Sequence, residues 1–64
     1  MNADIITYLR EKVEADIAMI ETDLARGGAK DFADYKHACG TVNGLRKAQS
    51  MLLELERRME MDDD

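Results

Sequence analysis

The sequence predicts an all-α fold: an antiparallel two-helix hairpin with a helix over about 4–26, a turn at 27–30 and a second helix over about 31–60. Three observations predict it. The 64 residues include no proline, and the 36% that are charged sit among Ala, Leu, Met, Ile and Glu, a composition that favours helix over strand. Apolar residues recur at helical spacing on both sides of one Gly-Gly pair. The connection around that pair, Gly27-Gly28-Ala29-Lys30, is short, and short loops between helices make antiparallel neighbours.

The first helix is read from about Asp4 to Arg26. Asn2 or Asp4 caps it, because their side-chain oxygens accept from the free amides of a first turn. Ile6, Leu9, Val13, Ile17, Ile20 and Leu24 follow spacings of 3, 4, 4, 3 and 4, with a mean of 3.6, so they form one straight stripe. Arg26 is placed in the last turn, where a cation suits the helix dipole. Gly27 and Gly28 stop the helix, one of them in the left-handed conformation just past its end.

Asp31 is a good N-cap for the second helix, with Asp34 three residues on in a capping-box pattern. The main stripe of this helix holds Phe32, Tyr35, Ala38, Val42, Leu45, Leu52, Leu55 and Met59. Ala38, Leu45, Leu52 and Met59 repeat every seven residues, as in a coiled-coil seam. The acidic tail Asp62-Asp63-Asp64 suits a helix C-terminus poorly and is read as disordered. The whole of 1–64 is one domain. Folding about the turn brings Ile20 near His37 and Ile17 near Gly40 or Thr41. It also brings Val13 near Gly44 or Leu45, and Leu9 near Ala48. Charge agrees: residues 14 to 25 carry Glu14, Asp16, Glu21 and Asp23 and no base, and residues 35 to 53 carry Lys36, Arg46 and Lys47 and no acid.

Gly40 and Gly44 stand out within the second helix. A glycine in a helix interior costs about 1 kcal/mol relative to alanine. Close approach of another helix, a backbone-lined ligand contact and a kink are the three ways to account for the pair. The predicted register sets the glycines beside Ile17 and Val13, which favours close packing, against the first helix or another chain.

Two helices do not enclose a core, and a chain this short usually needs a staple. One cysteine, Cys39, excludes an intrachain disulfide, and no Cys/His spacing suits structural zinc. What remains is self-association into an oligomeric helical bundle, as a dimer or higher oligomer, or docking on a larger protein. The interaction residues are therefore the first stripe (Ile6, Leu9, Val13, Ile17, Ile20, Leu24) and, on the second helix, Tyr35, Ala38, Gly40, Gly44, Leu45, Leu52, Leu55 and Met59. Met59 and Met61 would add a soft docking surface on an overhang of the longer second helix.

No catalytic, cofactor or metal site is expected. On a helix, His37 and Cys39 point about 200° apart and cannot share a ligand. Neither His37 with Thr41 nor Tyr35 with Cys39 forms a recognised site. The net charge of −5 weighs against a nucleic-acid partner. No apolar run has the length of a membrane span and no signal-peptide pattern is present, so the chain reads as soluble and intracellular. Lys36, Arg46 and Lys47 are the candidates for an anion contact.

The run Leu24-Ala25-Arg26-Gly27-Gly28-Ala29-Lys30-Asp31-Phe32-Ala33-Asp34-Tyr35-Lys36, followed by Cys39-Gly40 and Gly44-Leu45, resembles small uncharacterised helical proteins of podovirus-like tailed bacteriophages. The resemblance covers most of the chain and carries no catalytic residues. It implies a phage protein in the bacterial host cytoplasm or the virion, partnered by copies of itself or by a larger phage or host protein. The expected role is a non-enzymatic virion structural or assembly component. The alternative is a host-directed inhibitor that binds a bacterial protein or sequesters a small nucleotide near Lys36, Arg46 and Lys47.

Overall fold

The fold is the expected hairpin: two helices packed against each other, with no strand among the described residues. The computed structural model describes residues 3–62, with side chains from 4 to 61. Helix α1 spans Ala3–Ala25 and α2 spans Phe32–Asp62. The molecule is a rod of 51 × 15 × 14 Å.

Local chemistry explains both ends of the turn. Gly27 takes the left-handed conformation, with φ +83°, just past α1. Its amide donates to the Leu24 carbonyl at 3.0 Å, and the Gly28 amide donates to the Asp23 carbonyl at 2.9 Å. Those two bonds are the Schellman pair that satisfies the last free carbonyls of a helix. At the start of α2, Asp31 Oδ1 accepts from the Asp34 amide at 2.9 Å, and Asp34 Oδ2 accepts from the Lys30 amide at 3.3 Å. The expected capping box is thus present, with its return bond one residue earlier than the usual pattern.

Several element ends shift. Asp4 lies inside the first turn of α1, where an acid suits the helix dipole, and Asn2 lies outside the described residues. Arg26 falls one residue past α1, which has no base in its last turn. Helix α2 continues to Asp62, further than expected, while Asp63 and Asp64 lie outside the described residues.

The seam between the helices is thin. Ile6 (1% exposed), Ile17 and Val42 are its buried members. Val13, Ile20 and Leu24 on α1, and Ala38, Leu45, Ala48, Leu52 and Met59 on α2, are half-buried along it. Phe32 is 72% exposed, and Tyr35, Leu55 and Leu9 are exposed as well, although all four belong to the predicted stripes. Their places on the seam are shared with polar residues. Val42, Gln49 and Glu56 form a second seven-residue line along α2, and Gln49 and Glu56 face α1.

Candidate interaction surface

Because the helices are antiparallel, each side of the seam is formed by one edge of α1 and one edge of α2. The two sides have opposite chemistry.

One side is laced with polar contacts. Arg10 Nε donates to Glu56 Oε1 at 2.5 Å, and its second terminal nitrogen reaches Glu56 Oε2 at 3.4 Å. The Thr7 hydroxyl donates to the same Glu56 carboxylate at 2.6 Å. Arg10 also donates to Glu14, whose other oxygen accepts from Gln49 Nε2 at 2.9 Å. Further along, Arg46 pairs with Glu21, as the acidic stretch of α1 and the basic stretch of α2 led one to expect. Arg10 and Thr7 hold the Glu56 carboxyl below the usual carboxylate range. The Gln49 amide, and then Arg10, do the same for Glu14. Glu56, and then Glu14, push the Arg10 guanidinium higher still. Sequence reasoning missed this cluster. A signal was present in the polar Gln49 and Glu56, set one and two heptads after Val42.

The other side is nearly bare of polar contacts between the helices. Near the turn it forms a shallow groove lined by Met19, Ile20, Asp23, His37, Ala38 and Thr41, which places Ile20 beside His37 as expected. Helical spacing extends this edge along α1 through Ile5, Leu9, Lys12, Asp16 and Met19, and along α2 through Thr41, Gly44, Ala48, Met51 and Leu55. Ile5, Leu9, Met19, Met51 and Leu55 are all exposed.

The glycines correct the predicted packing. A Cβ added at Gly40 or Gly44 would meet nothing within 4 Å, and both residues are exposed. They are not beside Ile17 and Val13, because the face of α2 that meets α1 is the one carrying Ala38, Val42, Leu45 and Gln49. Gly44 falls on the bare edge of α2, and Gly40 lies further round its outer surface.

The other candidates are dispersed. The Cys39 thiol, one turn on from Tyr35, holds the Tyr35 phenol above its usual range. Thr41 donates its hydroxyl to the His37 carbonyl, which ties it to its own helix. Among the described residues no group of three or more His, Cys, Asp or Glu side chains could hold a metal ion. Lys36 lies over the Phe32 ring at 5.9 Å, and Arg46 is committed to Glu21. Lys36 and Arg46 are ten residues apart, about 15 Å along the helix, so these two do not converge on one anion. No helix among the described residues is long and apolar enough to cross a membrane.

Compared with protein-family models, with curated proteins and with solved structures, the chain matches none.

Proposed function

We propose that this chain is a non-enzymatic helical interaction module, acting by self-association or by docking on a larger protein. One observation carries the reading. The seam buries Ile6, Ile17 and Val42, while ten large hydrophobic side chains among the described residues stay exposed. Burial of apolar surface is the main favourable term in folding, and a small domain that leaves so much of it wet is marginal by itself. A hairpin of this kind reaches a stable state by covering that surface with another protein surface.

The resemblance of the Leu24–Leu45 region to small phage proteins supports a setting in which that partner is part of a virus particle or its assembly intermediates. Mass spectrometry of purified virions and assembly intermediates tests the setting, with the chain expected in one or both. Absence from both removes the structural role and leaves a host-directed inhibitor, to be sought by pull-down from host lysate. Sedimentation of the isolated chain tests the module itself. A fully folded, stable monomer with no binding partner would sink the reading.

A further inference from the structure

Resting on that reading, we infer that the occupant of the bare edge is a second copy of this chain, related by a two-fold axis that crosses both helices at right angles, level with Glu14 on α1 and Arg46 on α2. The product is an antiparallel four-helix bundle.

Surface area points to a second copy. A compact protein of 7.3 kDa exposes roughly 4,200 Å² by the usual scaling of surface with mass. This chain exposes 5116 Å². The excess, about 900 Å², matches the roughly 800 Å² that one partner contributes to a standard interface. One interface per copy therefore returns the chain to ordinary compactness.

The order of residues along the edge points the same way. Along its middle, α1 reads Leu9, Lys12, Asp16, Met19 and α2 reads Thr41, Gly44, Ala48, Met51, with Ile5 and Asp23, and His37 and Leu55, beyond them. Each series is balanced about its midpoint, between Lys12 and Asp16 on α1 and between Gly44 and Ala48 on α2. Those midpoints lie at one level of the hairpin, because Ile20 lies beside Ala38 and Thr41 across the seam. An axis through both sets Lys12 of each copy against Asp16 of the other, and Leu9 against Met19. On α2 it sets Gly44 against Ala48, the two smallest side chains on the edge, where the backbones then approach most closely. Pairing of opposite charges under the axis is what selects a second copy over an unrelated apolar partner. It also gives Gly44 a steric role that the hairpin alone does not supply.

The test uses the full chain and sedimentation equilibrium. Wild type is expected at twice 7.3 kDa. Met19→Lys removes an apolar contact from the bare edge, and the hairpin tolerates it because Met19 is 65% exposed and has Asp16 and Asp23 as helical neighbours. It should weaken association roughly 10- to 100-fold. Leu53→Lys, at an exposed leucine on the laced side, should leave association unchanged. Asp16→Lys and Lys12→Asp should each weaken self-association about tenfold, and an equimolar mixture of the two should restore it as a heterodimer. Rescue by mixing is not an effect of unfolding. A dimer broken by Leu53→Lys and not by Met19→Lys, or one that mixing fails to rescue, overturns this interface while the interaction-module reading stands. A folded monomer at all concentrations overturns the second copy as occupant and leaves docking on another protein as the only form of that reading.

Discussion

Two pairs of glycines divide this molecule into a region that explains itself and a region that does not. At the turn, Gly27 is left-handed and the amides of Gly27 and Gly28 close the end of α1. The hydrogen bonds that shape that segment all join residues no more than five positions apart. In the middle of α2, Gly40 and Gly44 have helical backbones, open space where a Cβ would sit and no contact that requires their smallness. The same residue type serves a local need in one place and is an uncompensated cost of the isolated hairpin in the other. Glycine by itself therefore does not reveal a backbone requirement; the φ angle does, since the Cβ position is open at Gly27 as well as at Gly40 and Gly44.

The largest effect is expected of Gly27→Val. Left-handed backbone costs a residue with a Cβ about 1–2 kcal/mol, and more for a β-branched one. Thermal unfolding followed by circular dichroism should drop by roughly 5–15 °C. An unchanged midpoint would mean that the turn does not need its left-handed residue.

Asp31→Ala tests the other side of the turn. Loss of the bond from Asp31 to the Asp34 amide should cost about 1 kcal/mol, read from a urea titration as a lower midpoint with an unchanged slope.

Gly40→Ala should do the opposite and stabilise the chain by about 1 kcal/mol, since helix propensity improves and nothing is displaced. Gly44→Ala should raise helicity by a similar amount at concentrations where the chain is monomeric, yet weaken pairing between copies. If both alanines act alike on association, the distinction drawn between the two glycines fails.

The smallest effect is that of pH. Glu14 and Glu56 have pKa values below the ordinary carboxylate value, so their contribution is present above that value and fades as pH falls through the lower, folded ones. Acid titration of the unfolding midpoint should show a loss that begins below about pH 4.5 and that Glu56→Gln reduces. The steric effect of Gly27→Val should persist through the same range.

Local sequence carried far at the turn and less far along the seam. Asp31 and Asp34 were legible as a cap because they act on amides within four residues. The Glu21–Arg46 pair was legible because one stretch is wholly acidic and the facing one wholly basic. The Arg10–Glu56 contact was not, since neither residue lies in such a block and 46 positions separate them. Among candidate interaction residues, Ile6 and Ile17 lie in the buried core beside Val42, which was on the predicted stripe but not among those candidates, whereas Tyr35, Leu55 and Leu9 were left exposed.

Sequence alone determined that there are two helices, where they break, how the turn is capped and that they run antiparallel. Each of these follows from forces acting between near neighbours: propensity, capping and the reach of a short loop. Only the tertiary structure decided the rotation of α2 about its own axis. Apolar side chains occur nearly all the way round that helix, so periodicity permits several faces. The choice fell to the one that lets Gln49 and Glu56 reach Glu14 and Arg10 while Val42 covers the seam. That rotation turned Gly40 and Gly44 outward, because a contact between helices depends on the phase of both, and one helix's pattern specifies only its own.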